Sequence, residues 1–129
     1  VTRAPARDVM IAANCVLLAS GTAALEAMLC KCPMVVAYKM SSLTYMMMKR
    51  LYKPTYFSLP NILANELLVP EFLQEDVNAE NLSEQLLNVW RTNNERVLSQ
   101  FTQIHKTLAA GADEQSAKAV LSLINRYPA

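Results

Sequence analysis

An α/β fold built on a parallel sheet is predicted by two short apolar runs, residues 15–19 and Met34–Tyr38, and by the stretch of helix formers that joins them. Both runs are continuously apolar rather than alternating, as strands covered by helices on both faces are. Ser20-Gly21-Thr22, set between the first run and the helix formers, has the turn chemistry of a strand feeding directly into a helix.

Taken in order, residues 8–14 read as a short helix, with Asp8 as its cap and Val9, Met10 and Ala13 on one side. Residues 15–19 form the first buried strand. Residues 22–30 form a helix with Leu25, Met28 and Leu29 on one face, and Pro33 opens the second strand, Met34–Tyr38. A third helix covers 43–52 and stops before Pro54, because the residue preceding proline avoids helical dihedrals. Tyr56-Phe57-Ser58-Leu59 is the third strand candidate, halted by Pro60-Asn61. Residues 61–68 read as a loop with weak helical character, and 69–74 as a short helix with Pro70 near its first turn.

From Asn78 onward the pattern is helical only. One helix carries Leu82, Leu86, Leu87 and Trp90; a second starts at Asn93 or Asn94 and carries Val97, Phe101, Ile104 and Leu108; a third covers 113–124, with Gly111 between the last two. No internal repeat or low-complexity linker interrupts the chain. The expected layout is an α/β part over 1–77 and a helical tail over 78–129.

Composition narrows the function classes. The 129 residues are 53% hydrophobic and 18% charged, enough to bury a core. Twelve Lys plus Arg against eleven Asp plus Glu leave a formal charge of +1, so no nucleic-acid footprint is present and any anion site must be local. Cys15, Cys30 and Cys32 lack the spacing of zinc or redox pairs and read as reduced thiols in or near the core. His105, the only histidine, has no second histidine or carboxylate cluster with it and reads as a helix-surface residue; no metal site is expected. No apolar run reaches the roughly 20 residues needed to span a bilayer, and no signal-peptide pattern opens the chain. The opening Val1-Thr2-Arg3-Ala4-Pro5 reads as the middle of a loop, so a piece of a longer protein is expected.

Chemistry concentrates at residues 19–26. The first turn of a helix holds N–H groups without intrahelical acceptors and a partial positive charge, both of which suit a phosphate. Gly21 lets the backbone approach closely, and Ser20 and Thr22 either cap the helix or offer hydroxyls to an anion. Glu26 follows Thr22 on the same face, about 6 Å further along the axis, where a carboxylate reaches sugar hydroxyls beyond a bound phosphate. A capped helix that binds nothing carries the same residues. Tyr38 and Lys39 end the second strand at the edge where open α/β sheets bind ligands, and Asn61 falls at the same edge; Lys39 is equally compatible with simple solvation. Residues 43–53 join Met46 and Met47 to Lys49, Arg50 and Lys53. This helix either lies at a membrane interface, touching acyl chains and anionic headgroups, or packs in the core with its basic end solvated.

Order and spacing of several motifs then carry a resemblance: the 19–26 segment, Lys31-Cys32-Pro33-Met34-Val35-Val36, Tyr38-Lys39, Lys49-Arg50-Leu51, Ser58-Leu59-Pro60-Asn61, Val69-Pro70-Glu71 with Leu73-Gln74-Glu75, and Ala112-Asp113-Glu114-Gln115 followed by Ala117. Across nearly its whole length the sequence resembles the C-terminal part of the lipid-A-disaccharide synthases, bacterial inverting glycosyltransferases. The resemblance implies a GT-B fold of two Rossmann-like domains, with this chain as the nucleotide-binding half and the N-terminal acceptor domain absent. It implies transfer of 2,3-diacylglucosamine from UDP-2,3-diacylglucosamine to 2,3-diacylglucosamine 1-phosphate (lipid X), giving the lipid A disaccharide 1-phosphate and UDP without metal or cofactor. It places Ser20, Gly21 and Thr22 on the UDP phosphates, Glu26 on ribose or glucosamine hydroxyls, and Asn61 on nucleotide or sugar groups. The general base is expected in the N-terminal half, so no catalytic residue is assigned here and the segment alone is expected to be inactive. A homodimer, and a cytoplasmic enzyme peripheral on the anionic inner face of the inner membrane, are also implied.

One departure stands out. Where the family usually reads Ala-Gly-Arg-Glu, this sequence has Ala64-Asn65-Glu66-Leu67. Two further readings remain open: another glycosyltransferase or epimerase of the same fold, and a non-catalytic membrane- or partner-binding helical module using the Met-rich helix and the tail.

Overall fold

The computed structural model describes residues 3–19, 21–51 and 55–126. The first helix, α1 (Ala6–Ala12), starts after Pro5 and carries Asp8 in its first turn, where a negative charge complements the helix dipole. Strand β1 (Val16–Leu18) leads into helix α2 (Gly21–Leu29), which returns the chain to strand β2 (Met34–Tyr38). The two strands are parallel, with Val16 opposite Met34 and Leu18 opposite Val36. This is the βαβ unit that the apolar runs predict.

The third strand lies elsewhere than its sequence suggests. Strand β3 (Glu71–Leu73) pairs in parallel with β2, Val36 opposite Glu71 and Tyr38 opposite Leu73, giving a sheet of order β1-β2-β3. Tyr56-Phe57-Ser58-Leu59, expected as that strand, instead leads into helix α4 (Leu59–Ala64), while α3 (Ser42–Leu51) precedes it. Two physical reasons account for the exchange. The N–H groups of Phe57 and Ser58 are taken by the Glu71 carboxylate and are not available to a ladder. Pro60 sits in the first turn of α4, where its missing N–H costs nothing. The short helix expected over 69–74 is accordingly absent: the Pro70 carbonyl accepts from Val36 N–H as the strand begins, and only a 3-10 turn at Gln74–Asp76 follows.

Helices α5 (Ala79–Arg91), α6 (Glu95–Ala109) and α7 (Ala112–Arg126) complete the chain. Asn78 caps α5 by accepting the Asn81 N–H at 2.9 Å, and Gly111 separates α6 from α7 at φ 70°, a conformation glycine adopts without a Cβ penalty. The sheet is covered on both faces. Met34 and Val36 share a core with Ala24, Ala27 and Met28 of α2 and with Phe101 of α6, while Val35, one residue out of phase, is also fully buried and α5 packs on β2. The helical tail thus contributes to the same core as the α/β part, with Phe101 fully buried as its largest side chain.

A polar seam fastens α2 to α6. Lys31 ends the α2 segment at φ 60° and donates from Nζ to the Phe101 carbonyl at 3.0 Å, with His105 Nδ1 at 3.2 Å. An ammonium group has no acceptor, so Nδ1 of His105 takes this bond with its lone pair. Burial holds the Lys31 amine below its usual pKa, against the opposing effect of Cys30.

All three cysteines are free, with Cys15 and Cys30 half-buried and Cys32 buried. Burial first, then the neighbouring Cys15 and Cys30, pushes the Cys32 thiol up to about 11. Since the thiolate is the reactive form, Cys32 should resist an aromatic disulfide reagent at pH 8 while Cys30 is modified. Mass mapping after brief labelling checks this; modification of Cys32 as fast as Cys30 would contradict it.

Candidate functional site

In a parallel sheet the carboxyl ends of all strands meet at one edge, and here that edge gathers the end of β1, Tyr38, Leu73 and the start of α2. Gly21 opens α2 against the Tyr38 side chain. A Cβ placed on Gly21 would lie 3.2 Å from the Tyr38 hydroxyl and 4.0 Å from Leu59 Cγ. Glycine at this position therefore keeps the helix start, the phenol of β2 and the first residue of α4 in close approach. Thr22 is exposed beside it, as is Lys39 just past β2. Ser20 lies outside the described residues.

The Tyr38 hydroxyl is held protonated well beyond neutrality: partial burial raises its pKa, and the negative charge of Glu71 raises it further. A neutral phenol facing the N-terminus of a helix adds one more donor to a place already rich in N–H groups.

Glu26 is exposed on α2 and lines a cleft of about 440 Å³ with Arg7, Ile11, Leu29, Cys30 and His105. This hollow lies among α1, the second half of α2 and α6, and none of Gly21, Thr22, Tyr38, Lys39 and Asn61 lines it. Asn61 has a different setting. It is fully buried in α4, its Oδ1 accepts from Leu68 N–H and Val69 N–H at 2.8 Å each, and its Nδ2 donates to the Val69 carbonyl at 2.8 Å. These bonds fix the segment that enters β3 and leave the side chain no exposed atom.

Two clamps escaped sequence reasoning because each joins residues far apart in the chain. Glu71 accepts from Phe57 and Ser58, and the amide of Gln74 both accepts from Met40 N–H at 2.7 Å and donates to the Met40 carbonyl at 3.0 Å. The buried Gln74 at φ 50° was the available signal, but only once the backbone is known. The ends of β3 therefore hold both loops that flank the Tyr38 edge.

The departure at residues 64–67 also acquires a cause. Asn65 adopts φ 53°, ψ 31° as the C-cap of α4, its N–H bonding back to the Ile62 carbonyl. Glycine, which the resemblance implies at this position, adopts such dihedrals freely, and asparagine is among the few other residues that accept them. Glu66 forms an ion pair with Arg96 of α6 at 2.7 Å.

A family model described as lipid-A-disaccharide synthetase matches residues 1–124. The chain belongs to the lipid-A-disaccharide synthase family. Among the relatives of that family, the lipid-A-disaccharide synthase of Alteromonas mediterranea is 58% identical over 121 residues, covering 94% of this chain and 32% of its own length. That of Pasteurella multocida is 53% identical over 128 residues, covering 94% and 32%, and that of Histophilus somni 52% over 126 residues, covering 93% and 32%. The chain spans about a third of the length of these lipid-A-disaccharide synthases.

Outside the sheet edge, α3 presents Leu43, Met46, Met47, Arg50 and Leu51 to the surface, so the core-helix reading of this segment does not hold among the described residues. Lys49 belongs to α3, and Lys53 lies outside the described residues. No described helix is long and apolar enough to cross a membrane.

Proposed function

We propose that this segment supplies the UDP-sugar-binding half of a glycosyltransferase of lipid A biosynthesis. The donor is UDP-2,3-diacylglucosamine, the acceptor 2,3-diacylglucosamine 1-phosphate, and the products are the β(1→6) disaccharide phosphate and UDP. The observation that carries the reading is the start of α2 at the carboxyl edge of a parallel sheet, with Gly21 against the Tyr38 hydroxyl.

In this reading the diphosphate docks on the N–H groups of the first turn of α2, with Ser20 and Thr22 as hydroxyl donors. A diphosphate leaving group carries its charge away as the glycosidic bond breaks, and fixed dipoles aimed at it stabilise that charge without reorganisation. Glu26 takes hydroxyls of the ribose or glucosamine, and Lys39 adds a cation at the rim. Inversion follows when the acceptor hydroxyl attacks from the face opposite the diphosphate, its proton going to a base outside this segment. Asn61 acts through the 68–69 backbone that it holds. The exposed Leu43, Met46, Met47 and Leu51, with Arg50 among them, support contact between α3 and an anionic membrane carrying diacylated substrates. Exposed Val120 and Leu121 on α7 support association with a second copy.

Calorimetric titration of the chain with UDP and UMP tests the cradle. UDP should bind measurably and at least tenfold more tightly than UMP, and Gly21→Ala should weaken UDP about tenfold, a loss of about 1.4 kcal/mol, by pressing a methyl group toward the Tyr38 hydroxyl. Equal affinity for UDP and UMP would remove the diphosphate from the reading.

A further inference from the structure

Glu71 opens β3, yet its carboxylate is committed across the chain rather than along its own strand. Oε1 accepts from Phe57 N–H at 3.0 Å, and Oε2 accepts from Ser58 N–H at 2.8 Å, with a longer contact of 3.3 Å to Phe57. Ser58 is fully buried and is the N-cap residue of α4, and Leu59, the next residue, has its Cγ 4.0 Å from where a Cβ on Gly21 would lie, with the Tyr38 hydroxyl nearer at 3.2 Å. The Ser58 hydroxyl itself finds no hydrogen-bond partner among the described residues, so the turn is held by its backbone and not by its side chain. The Glu71 carboxylate, accepting from two backbone N–H groups at the start of a helix, is the side-chain interaction that holds this turn.

We propose that Glu71 is a positioning residue of the donor site: by holding the backbone of Phe57 and Ser58 it fixes Leu59 as the wall facing Gly21. The inference rests on the UDP reading of that site. Burial opposes ionisation of the Tyr38 phenol, and the same Glu71 carboxylate lies close enough to add to that effect. Charged groups on the neighbouring positions do not duplicate this role; Glu75, four residues on, is exposed.

The test compares the chain with Glu71→Ala, Glu71→Gln and, as a control, Glu75→Ala, each titrated with UDP and followed by amide exchange. In Glu71→Ala the Phe57 and Ser58 amides should exchange at least tenfold faster and the UDP dissociation constant should rise about tenfold. Glu71→Gln, with a single acceptor oxygen, should recover part of both, and its Tyr38 phenol, followed by NMR of labelled tyrosine, should ionise at lower pH than in the parent. Glu75→Ala should match the parent in every measurement. If Glu71→Ala does not fold, Glu71→Gln decides. Parent-like UDP affinity in the Glu71 variants, with faster exchange at 57 and 58, would overturn the proposal. A parent chain that binds no UDP would instead overturn the donor-site reading, and the positioning role with it.

Discussion

Asn61→Ala should lower the stability of the chain by about 4 kcal/mol, because three buried backbone groups lose their partner at once and each orphaned group costs about 1–3 kcal/mol, partly relieved by water entry. Leu68 N–H, Val69 N–H and the Val69 carbonyl all depend on this one amide, in a segment where Leu68 and Val69 are buried. The unfolding midpoint should fall by more than about 10 °C. Asn61→Asp should be milder, since a carboxylate still accepts both N–H groups while facing the Val69 carbonyl without a donor. Urea and thermal unfolding measure both. The same variants separate two roles for Asn61. If it acts through the backbone, UDP affinity and stability fall together; an Asn61→Ala chain that melts like the parent while losing UDP would make it a direct ligand contact.

The second large effect is expected at Phe101. Phe101→Ala should cost about 4 kcal/mol, within the 3–5 kcal/mol typical of emptying a buried aromatic site. The side chain is fully buried in the core with Met28, Met34 and Val36, so its removal leaves a cavity between α6 and the sheet-side face of α2. Amides of α6 should lose protection before those of β2, and the bond from Lys31 to the Phe101 carbonyl should lengthen as α6 loosens. A midpoint within 2 °C of the parent would show that α6 is held by its polar seam rather than by this ring.

The βαβ unit was legible because its signals are local. Continuous apolar runs, Pro33 and the Ser-Gly-Thr turn each act within a few residues, and β2 has the bounds that the sequence predicts. The exchange of strand and helix between 56–59 and 69–74 was not legible for the opposite reason. Tyr56 and Phe57 favour a strand taken alone, but the deciding interaction joins Glu71 to Phe57 and Ser58 across 14 and 13 residues. The same limit applies to the site. Gly21, Thr22, Glu26 and Tyr38 stood out by residue type and place, whereas the approach of Gly21 to the Tyr38 hydroxyl depends on the strand register. Asn61 was found for its position and proved to be engaged with Leu68 and Val69, a partnership that only the fold of α4 creates.

The seam between Lys31 and α6 carries a consequence for the order of synthesis. Lys31 meets Phe101 and His105 across 70 and 74 residues, and the Phe101 ring closes the core above α2. A chain emerging from the ribosome therefore has its βαβ unit outside long before the residue that seals it. Until α6 arrives, α2 has only α1, α4 and the sheet packed on it, and the core around Met28 and Met34 stays open on the side that Phe101 later fills.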